Sequence, residues 1–429
     1  MSQVPEWHAL SSQLGFFLLH ISSSSILQVP EQLWQRVCTK SSQDTLTELQ
    51  ELAKSLGSAS ASQAVRSVAI QRIALNVAER CNLRCSYCYA GEGNYGHDSL
   101  MSLATAKRVL KFFMRPGQPL HIVFFGGEAL LNFALIRQVV EWCAVLPQTA
   151  PLRFSLTTNG VLLTSAHLEF FQKHGFELKI SYDGKKLQEL QRSPDAKLAE
   201  VVGKKLSRFS AELKKLRAFK VRTTISRKFI DHFASELLGM LNAHTYRVQY
   251  ARVASSLPDE KFNREDAETL GRLLKQVVDH LLAEQAWGKI LQIGNLRKYI
   301  KILHFGRPQA FCGAGIHYLS VSTTGRFFLC HRFTEDQEEC VGDLETGLQQ
   351  NKLDAILALR GRTQEPCRSC WMRHFCQGGC FHEHKMATGH IGHIDPVFCQ
   401  LQDLEMNLAF RVYLTLKELA PELLAEVIA

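Results

Sequence analysis

Cys81, Cys85 and Cys88 stand as CxxxCxxC in the run Asn-Val-Ala-Glu-Arg-Cys-Asn-Leu-Arg-Cys-Ser-Tyr-Cys-Tyr that starts at Asn76, directly after a strand-like stretch, Ile73 to Val77. An iron–sulfur cubane takes one thiolate per iron. Three thiolates therefore leave one iron open to a small chelating molecule, in the way an open coordination position marks a catalytic metal rather than a structural one. A zinc knot or plain buried cysteines are the other readings of such a loop. A second set follows late in the chain: Cys312, twelve residues, Gly325, four residues, Cys330, then Cys367-xx-Cys370-x5-Cys376-x3-Cys380-x18-Cys399. CxxC pairs are also zinc-ribbon spacing, but seven interleaved ligands suit two cubanes better than one tetrahedral zinc. Cys38 and Cys143 have no partners in this scheme and read as small buried hydrophobes.

The elements that must position these residues are legible as periodicity. Strand-like runs at Ile73 to Val77, His121 to Phe125, Arg153 to Thr157, Glu177 to Ser181, Val221 to Ile225 and Arg247 to Val253 alternate with helix candidates. The candidates are Ser102 to Phe113, Asn132 to Val145, Ser165 to His174, Ala196 to Phe219, Phe229 to Ala243 and Asp266 to Leu282. Six strands, each followed by a helix, predict parallel βα units in a doubly wound sheet or a barrel, closed or partial. Chemistry in such folds sits at the C-terminal strand ends, where the first cysteine loop falls. Three more signals lie at strand ends: Gly126-Gly127-Glu128, Thr157-Thr158-Asn159-Gly160 and Ser181-Tyr-Asp183-Gly184. Paired glycines let backbone approach a ligand closely. The short polar side chains suit hydrogen bonds to a ligand, though Asn-Gly and Asp-Gly pairs also make turns and caps.

Before this stretch, Phe16 to Ile21 and Ser25 to Val29 read as a hairpin, Pro30 to Val37 and Asp44 to Leu56 as helices, and Ser55 to Ala64 as a linker. The block from Gly306 to Gln400 has few long helices and eight of the 13 cysteines, a composition that suggests a fold held by metal. Leu404 to Ala429 reads as one or two closing helices.

Composition narrows the class. A chain of 429 residues with 46% hydrophobic content is globular and long enough for two or three domains. Its most apolar N-terminal piece, Leu14 to Leu19, is too short for a membrane span and has no preceding Lys or Arg as a signal peptide would. The expectation is a cytoplasmic protein without a membrane partner, whose cysteines serve metal or redox chemistry rather than disulfides. Of the net charge of +9, part clusters between Lys204 and Lys228. That run reads first as a solvated helix face, with attraction for an acidic polypeptide as the functional alternative. Aromatic platforms among the charges are sparse, which argues against nucleic acid.

The cysteine loop with its flanks, followed one βα unit later by GGE, resembles the radical SAM superfamily. The resemblance implies a partial (β/α)6 TIM-type barrel over residues 67–300, in an α/β chain. S-adenosylmethionine (SAM) would chelate the open iron, and an electron from the cluster would split it to a 5′-deoxyadenosyl radical. Glu128 would receive the amino group of SAM, with Gly126 and Gly127 giving the backbone approach. Thr158, Asn159, Ser181 and Asp183 match the TTNG and SxDG elements that hydrogen-bond ribose and carboxylate. Arg192 matches the arginine that often pairs with the SAM carboxylate, a surface arginine being the other reading. Tyr87 would stack near the adenine or cover the cluster.

The late cysteines closely resemble the SPASM extension, here residues 301–405, ahead of a C-terminal helix at 406–429. Carried over, Cys367, Cys370, Cys376 and Cys399 would hold an outer [4Fe–4S] cluster and Cys312, Cys330 and Cys380 an inner one, making three clusters in all. The inner cluster lacks an eighth cysteine near Cys312, so it would be open at one iron or completed by Cys340. SPASM enzymes mostly act on peptides or proteins. The resemblance therefore implies a maturase that crosslinks a ribosomally made precursor peptide, with flavodoxin or ferredoxin as electron donor. Residues 1–66, a small α+β block, would either grip a leader peptide or pack on the barrel. Anaerobic sulfatase maturases are the runner-up. They typically carry an aspartate after the cysteine matching Cys330, where this chain has His331, which could serve as a base or hold its neighbours in place. An iron–sulfur electron carrier is the alternative from another class, and the intact SAM elements argue against it.

Overall fold

The structure is a computed structural model that describes residues 7–12, 14–21, 23–39, 43–55, 69–146, 151–192, 196–243, 246–305, 312–359 and 365–428. Most of the expected linker and the run before Cys312 lie outside these residues. The chain divides into two compact units, one of residues 1–66, 263–312 and 360–429, the other of residues 67–262 and 313–359.

In the first unit, β1 (Trp7–Ser12), β2 (Gly15–His20) and β3 (Ser25–Val29) form an antiparallel sheet in the order β1-β2-β3. The hairpin of β2 and β3 was legible; β1, with two serines and a histidine in six residues, was not. Trp7, Leu18, Leu33 and Leu49 knit this sheet to helices Glu31–Cys38 and Gln43–Ser55, and Arg36 pairs with Glu48 at 2.7 Å. The block packs on the C-terminal part of the same unit: His8 stacks on Trp371 at 3.8 Å and Phe17 meets Phe410 edge-on. Cys38 is exposed, contrary to the expectation, because it ends its helix away from the apolar stripe; Cys143 is buried as expected.

In the second unit the core is a parallel sheet of β4 (Arg72–Glu79), β6 (Leu120–Gly126), β7 (Leu152–Thr158), β8 (Glu177–Ser181), β9 (Ala218–Ile225) and β10 (Arg247–Arg252), with the short β5 (Ser99–Leu100) beside β4. Their spatial order follows chain order, and among the described residues β10 pairs with β9 alone, which leaves the sheet open at that edge. The crossover helices form where apolar residues recur at helical spacing. In Leu103–Phe113, Ser102 caps the first turn by accepting from Thr105 N, and Ala106, Val109, Leu110 and Phe113 are buried. On β8 and β9 the alternation is plain: Leu178, Ile180, Val221 and Thr223 are buried on one face, while Lys179, Ser181, Lys220 and Arg222 line the other.

Two expectations about this region are corrected. The helix read from Ala196 to Phe219 breaks at Phe209 into Ala196–Arg208 and Ser210–Lys214, and β9 has begun by Ala218. The sheet also continues past β4: β11 (Tyr318–Val321) pairs parallel with β4, followed by β12 (Arg326–Phe328), β13 (Cys340–Asp343) and β14 (Gly347–Leu348) in antiparallel order. Strands of two to four residues leave no usable period in a sequence. Among the described residues, no helix is long and apolar enough to cross a membrane.

Candidate active site

The end of β4 is held before the cysteine loop begins. Glu79 is buried and accepts from Thr323 N at 3.0 Å, Thr323 Oγ1 at 2.7 Å and Ser99 Oγ at 3.0 Å. Beyond it the loop winds through turns, with Cys88 N donating to Cys85 O and Gly91 N to Cys88 O. Ser86 N donates to Gln191 O at 2.9 Å, and Leu83 N donates to Cys81 Sγ at 3.4 Å. Cys81, Cys85 and Cys88 are partly buried and each lies within the field of the others. Burial pushes the Cys85 thiol up to about 11, against the opposing pull of Arg192.

Gly126 and Gly127 fit against this loop so closely that no side chain is possible. A Cβ on Gly127 would stand 2.1 Å from Gly93 O and 2.5 Å from Arg80 O; on Gly126, at φ +145°, it would stand 2.2 Å from Ala78 O. Glu128, 1% exposed, accepts from Leu130 N at 2.9 Å, Thr158 Oγ1 at 2.7 Å and Asn159 N at 2.7 Å. Burial raises its pKa, and these donors oppose the shift. Asn159 in turn donates to Asn82 Oδ1 at 2.8 Å and to Cys81 Sγ at 3.8 Å, tying the TTNG turn to the cysteine loop.

Asp183 is fully buried and accepts from Tyr87 OH at 2.6 Å, Gln191 Nε2 at 2.9 Å and Thr224 N at 2.7 Å. Arg192 lies 3.6 Å from Asp183 and donates to Tyr87 OH at 2.9 Å. Burial works against the guanidinium, but Tyr87, Cys85, Asp183 and Cys81 together hold its pKa above the ordinary arginine value. Arg192 is thus a buried residue and not a surface one. Tyr87 is engaged by Asp183 and Arg192, with its ring 5.9 Å from the guanidinium carbon. Ser181 ends β8 in register with Arg222. Gln191, which also donates to Thr224 O at 2.7 Å and accepts from Ser226 Oγ at 2.7 Å, went unnoticed in the sequence, as did Glu79. Neither belongs to a recognisable spacing.

On the opposite side of β4, Cys330 packs against a cluster of Ala74, Val123, Ala314 and Tyr318. His331 shares a 2.7 Å hydrogen bond with Tyr318 OH through Nδ1, and its ring lies 4.4 Å from Phe125 and 6.3 Å from Tyr89. Burial, followed by Arg332, Lys179, Arg222 and Arg72, holds its pKa well below the usual histidine range, so it stands neutral. Asn76 Nδ2 donates to Thr334 Oγ1 at 2.6 Å, while its buried Oδ1 has no hydrogen-bond partner among the described residues. Cys340 opens β13, with Sγ 3.4 Å from Gly342 O.

In the other unit, Cys376 is pushed up to about 12 by burial and by the nearby Cys399, Cys367 and Cys370. These four thiols therefore share one locality. Cys312 and Cys380 act with Cys376 on Lys298. Cys330 belongs to the second unit, unlike the other two cysteines expected to share its cluster. Among the described residues, no three His, Cys, Asp or Glu side chains gather as they would around a single ion. A four-iron cluster makes a different demand, one thiolate on each of several irons. The Cys81–Cys88 loop fits it, with three thiols in mutual range, an N–H directed at Cys81 Sγ, and the Arg192 cation among them to offset thiolate charge.

A parallel βα sheet with an open-cluster cysteine loop on its first strand defines the class. Residues 75–184 match the Radical SAM superfamily, and the chain carries a radical SAM domain there. An uncharacterized protein of Methanocaldococcus jannaschii is 31% identical over 29% of this chain, which spans 42% of that protein's length. The radical SAM cyclopropyl synthase TigE of Paramaledivibacter caminithermalis is 23% identical over 78% of this chain and 73% of its own. A serine-type anaerobic sulfatase-maturating enzyme of Klebsiella pneumoniae is 22% identical over 70% and 78%. Among solved structures, anSMEcpe with bound AdoMet superposes with a TM-score of 0.67 at 16% identity, covering 83% of this chain and 97% of that one. Streptococcus suis SuiB bound to precursor peptide SuiA gives 0.51 at 15% identity, covering 92% and 98%. These structures share the α/β fold with its mostly parallel central sheet.

Proposed function

We propose that this chain is a peptide-modifying radical SAM enzyme that takes a hydrogen atom from a side chain or Cα of a ribosomally made precursor peptide and installs a thioether, carbon–carbon or ether crosslink. One observation carries the reading: Cys81, Cys85 and Cys88 converge with Glu128, Thr158, Asn159, Asp183 and Arg192 at the C-terminal ends of adjacent parallel strands. When bound on the three cysteines, a reduced [4Fe–4S] cluster would supply one-electron cleavage of SAM and thereby a hydrogen-abstracting radical. The protein's part is positional. Gly126 and Gly127 let the end of β6 press against the cysteine loop, Glu128 and Asn159 fix the TTNG turn against that loop, and the Asp183–Tyr87–Arg192 group holds the far side of the site by its own hydrogen bonds. Cys367, Cys370, Cys376 and Cys399 would hold an auxiliary cluster, and the spacing of the remaining cysteines asks for a further one. A flavodoxin or ferredoxin would deliver the electron. That SuiB is seen with a precursor peptide and anSMEcpe with AdoMet supports a peptide substrate and SAM for this chain as well.

The likeness to the Klebsiella pneumoniae enzyme supports formylglycine formation as a second reading. The neutral His331 could accept a proton there. The test is the mass of a small peptide encoded beside this gene after anaerobic incubation with the reconstituted enzyme, reductant and SAM. Loss of two hydrogens per event, with disappearance of an alkylatable thiol for a thioether, is the expected result. An unchanged peptide alongside 5′-deoxyadenosine release would overturn the choice of substrate and favour protein targets such as sulfatases.

A further inference from the structure

Among the described residues of the parallel strands, the inner face carries several basic side chains and few acidic ones. Strand register sets Lys179 beside Lys220, and Lys220 beside Arg247, while Ser181, Arg222 and Gln249 form the next row toward the strand ends. Arg72, His121 and Arg153 form a row on the other strands. Among the described residues of these six strands, Glu177 is the one carboxylate on this face, and it lies 3.7 Å from Arg217. Neither Lys179 nor Lys220 has a carboxylate within ion-pair distance among the described residues. Arg72 stacks over the Tyr318 ring at 5.2 Å, and its Nε is buried without a hydrogen-bond partner.

The face is a trough and not a plane. Three strand spacings, about 14 Å, and four residues of strand rise, about 13 Å, separate Arg72 from Lys179 on a flat sheet, yet each of Arg72, Lys220 and Arg222 depresses the Lys179 pKa on top of burial. His331 borders the same face, its ring 4.4 Å from Phe125, which stands in the row of Lys179. Clustered cations in a partly desolvated concavity repel one another, and removing a charge would relieve the fold. Such a cluster is maintained where an anion is to be received.

We propose that Arg72, Lys179, Lys220 and Arg222 form a subsite for a carboxylate of the substrate, supplied by an Asp or Glu side chain or by the C-terminus of the peptide. The inference rests on the peptide-modifying reading and adds the substrate's chemistry to it. Arg222 and Lys220 precede Thr224, whose N–H donates to Asp183, by two and four residues. They therefore stand about 7 and 13 Å down the strand from the level of Asp183 at the edge of the candidate SAM site. An extended peptide covers that span in about two to four residues, so the carboxylate lies that far in sequence from the modified residue. The positive run between Lys204 and Lys228 thus divides: Lys204 pairs with Glu200 on the exposed face of a helix, while Lys220 and Arg222 face the trough.

Calorimetric titration of the reconstituted holoenzyme with three probes tests this: amidated tetraglutamate, free-acid tetraglutamine and amidated tetraglutamine. Binding of the first assigns the subsite to a side-chain carboxylate and of the second to a terminal one; all three binding equally overturns the subsite. The Lys179→Met/Lys220→Met variant should weaken the preferred probe by roughly tenfold or more, and Lys204→Met should leave it unchanged. Equal binding by the double variant also overturns the proposal. Lys220→Met alone, with the same two readings, serves if the double variant does not fold. The parent reading fails separately. If the probe binds but no peptide is modified, the crosslinking assignment falls and the subsite stands; if the double variant modifies the peptide at the wild-type rate, the subsite falls and crosslinking stands.

Discussion

The strand ends and the trough beneath them handle charge in opposite ways. At the ends, the two buried carboxyl groups that the sequence singles out are met by the protein itself: Glu128 by Leu130, Thr158 and Asn159, and Asp183 by Tyr87, Gln191, Thr224 and Arg192. One or two rows below, Lys179 and Lys220 stand among Arg72 and Arg222 with Glu177 as the modest counterweight. A satisfied network is preorganised and costs nothing to set up when a cofactor arrives. An unbalanced one stores repulsion that only a ligand removes. The first suits a cofactor common to every turnover, the second a substrate that must be recognised.

Substitutions at the two levels should therefore differ in sign. Asp183→Asn leaves Arg192 buried without its carboxylate, and breaking such a pair costs about 3–5 kcal/mol, measured as a lowered urea midpoint together with loss of SAM binding. Gly127→Ala forces backbone apart at Gly93 and Arg80. Overpacking of that kind costs about 1–3 kcal/mol, and 5′-deoxyadenosine release should fall with it because the cysteine loop is displaced. Lys220→Met should do the reverse. Burial, aided by Arg247, Arg72 and Arg222, lowers the Lys220 pKa from 10.5 to about 8. Between these values the unfolded chain binds more protons than the folded one, so wild-type stability rises with pH from about 8 to 10.5. The variant should be at least as stable at pH 7 and show a shallower rise in denaturation midpoint over that window. A steeper rise, or marked destabilisation at pH 7, would erase the contrast between the levels.

Much of the upper level was legible in the sequence because it is written in fixed spacing at the ends of periodic elements. CxxxCxxC, GGE, TTNG and SxDG each follow a short apolar or β-branched run that reads as a strand, and the structure brings residues of these motifs together. The lower level was hidden. Val221 to Ile225 was read as a strand, but the helix before it was carried on to Phe219, so Lys220 and Arg222 read as the end of a basic helical run and not as neighbours on one strand face. Lys179 has no motif around it, and its meaning arises from Arg72, more than a hundred residues away. Gln191 escaped for another reason: it lies beside Arg192 on a short π-helical turn, Gln188–Arg192, whose i to i+5 geometry matches no common period. The cysteines after Cys312 were legible as a set by count and spacing, but the strands β11 to β14 among them were too short to signal.

The central claim is that the Cys81–Cys88 loop and its neighbours run radical chemistry on SAM. Its most direct test is 5′-deoxyadenosine release by the anaerobically reconstituted and reduced chain, compared with Cys85→Ala. Release by the wild type and none by the variant, with the wild type binding about four more irons per chain, is the predicted result. No release from an iron-loaded wild type, or equal release from the variant, would contradict it.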